Sequence, residues 1–195
     1  MTQPLHVIYI PGLGDSRAVG QEMVVRTWNW WGVDAELLRM NWSDDESWES
    51  KLQRLLSRID ELTDAGKRVA LVGSSAGAAA VITAFTARKS QIAGCVIIAG
   101  KVNRPENISE KYRRNNPAFV AAAEACKQAL QGLDMQDRKR ILSRYALFDE
   151  VINKQDSQIE GARNQTVLSV GHGPTIGIQI ILGSSSFLTF LRGLK

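Results

Sequence analysis

The sequence predicts an α/β fold, with a mostly parallel central sheet, helices on both faces and a minimal cap. Short apolar runs alternate along the chain with longer amphipathic runs, a pattern that indicates strands alternating with helices. Several of the short runs are apolar throughout, as expected for parallel strands covered on both faces. A length of 195 residues suits one domain of this class, so we expect a single domain over 1–195.

The individual elements follow from this alternation. Strands are predicted at residues 5–10, 33–40, 69–72, 92–99, 144–148 and 166–170. Helices are predicted at 16–31, from a cap at 43–45 through the apolar stripe 48–62, at 77–88, 117–130 and 156–161, and at 175–191 with an interruption at 183–186. The polar segment 101–116 is expected to be irregular. This order places the carboxyl ends of the strands at one edge of the sheet, where active sites gather.

The composition excludes several classes of protein. Apolar residues make up 44% and charged residues 23% of the chain, which is ordinary for a globular protein and excludes a disordered or fibrous one. The net charge is +4, but the basic clusters at 111–114 and 138–140 have acidic neighbours. We therefore interpret them as solvated faces and expect no nucleic-acid partner. The alternative, a basic patch that binds nucleic acid, predicts strongly salt-dependent DNA affinity.

The two cysteines, Cys95 and Cys126, lie in an apolar strand run and an Ala-rich helical pattern. We expect free thiols and a reducing compartment, with one disulfide as the alternative. The first residues lack the pattern of a signal peptide, and no apolar run approaches the roughly 18 residues of a membrane helix. We therefore expect a cytoplasmic protein with no membrane partner.

The most informative motif is Gly73-Ser74-Ser75-Ala76-Gly77, which follows an apolar strand and precedes a helix. A Gly-x-Ser-x-Gly turn in this context projects its central Ser into a cleft. Glycine is expected at 73 and 77 because a side chain there would collide with a neighbouring strand or helix. Ser75 is therefore the candidate nucleophile, and Ser74, expected to point away, has no assigned role. The alternative is a Gly-rich turn without chemistry.

A second Gly-rich loop, 11–14, ends the first strand. Acyl transfer needs backbone N–H donors for the oxyanion, and the best candidates are the N–H groups of Leu13 and Ala76. The loop also fits a turn that caps a helix through Ser16, and both interpretations can hold. A dinucleotide fingerprint is excluded because Arg17 stands where it needs glycine, and no P-loop motif occurs.

Two later strand ends carry an acid and a histidine. Asp149 follows an apolar strand and is the candidate partner of an imidazole, with Glu150 as its local rival and helix capping as its alternative role. His172 follows the last predicted strand in a Gly-His-Gly loop. His6 alternates with apolar residues in the first strand and is expected to be structural, so His172 is the candidate general base. The chain order is Ser, Asp, His.

Together these four motifs resemble the α/β-hydrolase superfamily, and in particular its compact, lidless serine hydrolases and esterases. The resemblance covers the whole chain, although loop 11–14 begins Pro-Gly where many members have His-Gly, and the elbow has Ser74 where many have His. It implies a catalytic triad of Ser75, Asp149 and His172, an acyl-enzyme intermediate, and no cofactor or metal. The competing class is a catalytically silent binding protein on the same scaffold.

The resemblance leaves the substrate open, because ester, thioester and amide hydrolysis share this machinery. We expect a small-molecule acyl substrate, since the segment 101–133 is too short for a large lid and is expected to form only part of the rim. Trp42 and Trp48 follow a strand end and either line an acyl pocket or pack in the core. The oligomeric state is not indicated by the sequence.

Overall fold

The computed structural model describes residues 4–194 and contains one six-stranded sheet. Its strands are β1 (Leu5–Ile10), β2 (Asp34–Leu37), β3 (Arg68–Ser74), β4 (Ile92–Ile98), β5 (Ile141–Phe148) and β6 (Arg163–Val170). The spatial order is β2-β1-β3-β4-β5-β6, and every neighbouring pair is parallel. The predicted sheet is therefore confirmed, and all of its carboxyl ends lie at one edge.

Nine α-helices connect or follow the strands within residues 4–194. They are α1 (Val19–Arg26), α2 (Trp48–Asp64), α3 (Gly77–Ala87), α4 (Glu110–Asn115), α5 (Pro117–Gln131), α6 (Met135–Lys139), α7 (Lys154–Ser157), α8 (His172–Ile181) and α9 (Ser184–Gly193). The cap of α2 is Ser47, whose side chain accepts the N–H of Ser50, and not the predicted stretch 43–45. Helices of this number and placement cover the sheet on both faces, as predicted.

The core consists of two hydrophobic layers, one on each face of the sheet. Alternate residues of β1 belong to different layers, with Ile8 and Ile10 on one face and Val7 and Tyr9 on the other. The first layer is completed by α2, α3 and α5, and the second by α1, α8 and α9. The period-two alternation of strand side chains thus fixes which helices cover which face.

The helix predicted at 175–191, with an interruption at 183–186, is divided into two helices near the predicted interruption. Helix α8 ends at Ile181 and α9 begins at Ser184, with a bend of 62° between them. Gly183 packs against the side chain of Gln179, and Ser184 Oγ donates to the carbonyl of Ile181, so contacts within the turn stabilise the bend. Among residues 4–194 no single helix is long and apolar enough to cross a membrane, and only the bent pair α8 and α9 together meets that length and composition.

The segment predicted to be irregular, 101–116, contains a short 3₁₀ helix, Pro105–Asn107, and α4. No residue of α4 is buried, so the helix has no apolar stripe from which the sequence could have predicted it. The segment crosses the carboxyl edge of the sheet and contributes to the cavity described below.

Candidate active site

Ser75 sits on a strained turn between β3 and α3. Its φ is +50°, a left-handed conformation that is uncommon for a residue with a side chain. Two backbone hydrogen bonds hold the turn against β4 and the residues after it: Ser75 N–H donates to Ile98 at 3.0 Å, and Lys101 N–H donates to Ser75 at 3.2 Å. Strain of this kind persists only where the surrounding structure enforces it, and it is typical of functional sites.

The two glycines of the elbow are required by packing. A Cβ at Gly73 would lie 2.7 Å from the carbonyl oxygen of Gly77 and 2.7 Å from Val81 Cγ2 on α3. A Cβ at Gly77 would overlap the carbonyl of Ile10 and lie 2.7 Å from the carbonyl oxygen of Pro11. The predicted collisions with a helix and with a strand are therefore confirmed.

Ser75, His172 and Asp149 meet in one hydrogen-bonded line. His172 Nε2 lies 2.9 Å from Ser75 Oγ, and His172 Nδ1 lies 2.8 Å from Asp149 Oδ2. An ionised carboxylate only accepts hydrogen bonds, so Nδ1 carries the proton and the lone pair of Nε2 faces the serine hydroxyl. The structure thus brings the three predicted side chains together from β3, β5 and the start of α8.

Asp149 is held as an ionised group. Its side chain is only 6% exposed, and its Oδ1 accepts the N–H groups of Val151 and Ile152, both at 2.8 Å. Burial raises the pKa of Asp149, but the hydrogen bonds from His172 and from these two N–H groups outweigh it and leave the pKa below its usual value. Glu150, the local rival, is exposed and instead accepts the backbone N–H of His172, at 3.2 and 3.1 Å.

Of the two predicted oxyanion donors, Leu13 lines the cavity that contains Ser75, and Ala76 directly follows Ser75 in the chain. Within residues 4–194, neither Leu13 N–H nor Ala76 N–H donates a hydrogen bond to a protein acceptor. A Cβ at Gly12 would lie 2.7 Å from Ser75 Cβ, so the Ser75 side chain itself requires glycine there. Gly14 has a different reason: its φ is +82°, and no atom of residues 4–194 lies within 4 Å of its Cβ position.

Ser74 points away from His172, into a buried polar network. Its Oγ lies 2.7 Å from the hydroxyl of Tyr9, which donates to Gln21 Oε1 at 3.2 Å. Burial raises the pKa of Tyr9 to about 12, although the hydrogen bond with Ser74 acts in the opposite direction, so the phenol stays protonated at neutral pH. This network fixes the amide of Gln21 at the edge of the cavity that contains Ser75.

A cavity of about 380 Å³ opens beside the serine. Its apolar lining includes Leu13, Ile108, Phe119, Ile152 and Ile176. The segment 101–133 therefore supplies one wall of the cavity and not only its rim. Both predicted tryptophans pack in the core instead of lining the cavity, and their rings stack with centroids 6.2 Å apart.

The remaining candidate groups take no part in the site. Cys95 and Cys126 are buried free thiols, as predicted, and burial raises the pKa of both. His6 lies on β1, with Nε2 3.6 Å from Glu36. Among residues 4–194, no cluster of three or more His, Cys, Asp or Glu side chains is arranged to hold a metal ion.

Comparison with solved structures identifies the fold of this chain. No protein-family model and no curated protein matches the chain. Solved structures do match: one of the metagenome-derived lipolytic enzymes LipS and LipT has a TM-score of 0.73 at 13% identity, covering 97% of this chain and 94% of its own. Est1E from Butyrivibrio proteoclasticus has a TM-score of 0.72 at 17% identity, covering 98% and 89%.

An S-formylglutathione hydrolase from Agrobacterium tumefaciens is also similar, with a TM-score of 0.61 at 14% identity over 99% of this chain and 86% of that one. At such low identities the likeness concerns the backbone. The chain has the α/β-hydrolase fold, in a compact form of 195 residues.

Sequence reasoning missed three contributors to the site. The sequence indicates Glu150 only as a rival acid, and it predicts no role in the site for Gln21 or Lys101. Lys101 lies three residues beyond the end of β4, so the strand-end rule that led to Ser75 and Asp149 could have found it. Gln21 lies within a helix and gave no comparable signal.

Proposed function

We propose that this protein is a serine hydrolase that cleaves small ester or thioester substrates through a Ser-His-Asp triad and an acyl-enzyme intermediate. The observation that carries the proposal is the continuous line from Ser75 Oγ through the His172 ring to Asp149, with contacts of 2.9 and 2.8 Å. The esterase and lipolytic neighbours support it through their shared fold.

In this mechanism His172 Nε2 takes the Ser75 proton as Oγ attacks the carbonyl carbon. The negative charge that develops on the carbonyl oxygen is bound by the N–H groups of Leu13 and Ala76, which have no protein acceptor of their own among residues 4–194. The imidazolium gives its proton to the leaving alcohol or thiol. Water, deprotonated by His172, then releases the acid and restores the serine.

The substrate is proposed to be small and in part apolar. The cavity of about 380 Å³ is at the lower end of the range for ligand pockets, and its apolar lining fits a short or medium acyl chain. A cytoplasmic location and the lack of a nucleic-acid or membrane partner remain predictions from the sequence.

Turnover of p-nitrophenyl butyrate by purified Ser75→Ala and Ser74→Ala variants tests the proposal. We expect Ser75→Ala to lose on the order of 1000-fold or more in kcat, because no other nucleophile occupies its position. Ser74→Ala should keep most of the activity, since Ser74 bonds Tyr9 and not His172. Equal activity of Ser75→Ala and wild type would refute the assignment, and an inactive wild type would favour a binding protein on this scaffold.

A further inference from the structure

Lys101 is a buried cation at the cavity that contains Ser75. The residue is 5% exposed, lies three positions beyond the end of β4, and lines the cavity. Its ammonium has three donor hydrogens, yet among residues 4–194 it donates only one hydrogen bond, to Asp156 Oδ2 at 2.7 Å. A buried charge with donors to spare is costly unless a further acceptor reaches it.

Asp156 does not fully neutralise Lys101, because its carboxylate also pairs with Arg104. Its other carboxylate oxygen accepts Nε of Arg104 at 2.5 Å. The cluster of Lys101, Arg104 and Asp156 therefore carries a net charge of +1, since two cations share one carboxylate. Arg104 is 38% exposed and can be solvated, whereas Lys101 cannot.

The cavity itself supplies no carboxylate from the described residues to balance that charge, and the exposed Glu106 acts on Lys101 only at long range. Its lining, taken over the described part of the chain, includes no Asp or Glu. The same lining includes Asn107 and Ser109, whose side chains make no hydrogen bond to other described residues. The cavity therefore contains one buried cation, together with two exposed polar side chains that have no protein partner among the described residues.

We propose that this protein prefers substrates that carry a carboxylate or another anionic group, bound by Lys101 with help from Asn107 and Ser109. The inference rests on the proposed hydrolase function and deepens it by naming the class of substrate. Lys101 acts as a specificity residue: its remaining N–H groups donate hydrogen bonds to the anion, and the apolar lining holds the remainder of the molecule.

Two matched pairs of esters test the proposal in the intact protein. The first compares mono-p-nitrophenyl glutarate with p-nitrophenyl hexanoate and places the charge on the acyl chain. The second compares phenyl acetates with a para-carboxylate or a para-isopropyl group and places it on the leaving group. We expect kcat/KM to favour the anionic member of at least one pair, and the pair that responds locates the charge.

Substitution at Lys101 makes the test specific. In Lys101→Met the ratio of anionic to uncharged kcat/KM should fall about 10- to 100-fold, the range of a hydrogen bond to a charged group, and Lys101→Arg should retain most of it. Lys67→Met is the matched control, because Lys67 is also ion-paired, to Asp34 at 2.8 Å, but precedes β3 at the opposite end of the sheet. Its ratio should equal that of wild type.

The outcomes separate the two proposals. Hydrolysis of the uncharged esters by Ser75 with no preference for either anionic ester would overturn the Lys101 inference and leave the hydrolase proposal standing. A preference that survives in Lys101→Met would also overturn it. Failure of wild type to cleave any of the esters would refute the hydrolase proposal itself.

Discussion

Ser75 and His172 meet across the site, but the chain around each is held by different forces. The turn at Ser75 is enclosed: Gly73 and Gly77 leave no room for a methyl group, and β3 is buried between two neighbouring strands. The turn at His172 is open. It leaves β6, an edge strand, and in the described part of the chain nothing lies within 4 Å of the Cβ position of Gly173.

At His172 the backbone is held mainly by hydrogen bonds, whereas at Ser75 it is enclosed by packing. Gly171 N–H donates to the carbonyl of Phe148 at 2.9 Å, Glu150 accepts the His172 N–H, and Asp149 accepts from the ring. Because the two turns are held differently, mutations in them should have different effects. Changes at the elbow should cost stability, because they create overlaps in a packed layer, and changes around His172 should cost activity.

The largest expected effect is that of Asp149→Asn. The amide cannot hold the Nδ1–H tautomer or stabilise an imidazolium, so kcat should fall on the order of 10⁴-fold with the fold intact. Measurement of kcat together with the thermal midpoint checks both parts. A large loss of stability at neutral pH with little loss of kcat would contradict the expectation that changes around His172 affect activity more than stability.

The same variant has a defined pH dependence. Because the pKa of Asp149 lies below its usual value of 3.8 in the folded protein, its ionised form contributes stability above that value, and the contribution is lost as the pH falls through the lowered pKa. The difference in unfolding free energy between wild type and Asp149→Asn should therefore shrink in acid. A difference that grows below pH 3.8 would contradict the assigned direction of the shift.

A smaller effect, on stability, is expected for Gly77→Ala. The added methyl group would overlap backbone carbonyls of the β1 loop, which cannot give way as a side chain could, so we expect a loss of about 3 kcal/mol in unfolding free energy. Gly173→Ala is the matched control. It adds the same group in open space within α8 and should change stability by less than about 1 kcal/mol. Equal losses of unfolding free energy in urea denaturation would show that packing does not distinguish the two turns.

The smallest expected effect is that of Glu150→Gln. Its carboxylate accepts an N–H at the start of α8, a contact worth about 0.5 to 1 kcal/mol at an exposed site, so kcat should fall about two- to fivefold. Glu124→Gln, at an exposed position on α5, is the control and should leave kcat unchanged. A loss comparable to that of Asp149→Asn would show that the acid had been misassigned.

The same contrast explains what the sequence could predict. The elbow is specified locally, because strand, glycines and helix are contiguous, and the chain order then leads to Asp149 and His172. The Lys101–Asp156 pair joins residues 55 positions apart and has no local signature. The exposed helix α4 has no apolar stripe, so neither its presence nor its contribution to the cavity wall could be predicted.

The central claim is that Ser75, His172 and Asp149 form one proton-transfer line. Fluorophosphonate labelling of the folded protein, mapped by peptide mass spectrometry, tests it most directly. We expect a single covalent adduct on Ser75, with labelling at least about 100-fold slower in His172→Gln because the proposed general base is gone. An adduct on Ser74, or unchanged labelling of Ser75 without the imidazole, would contradict it.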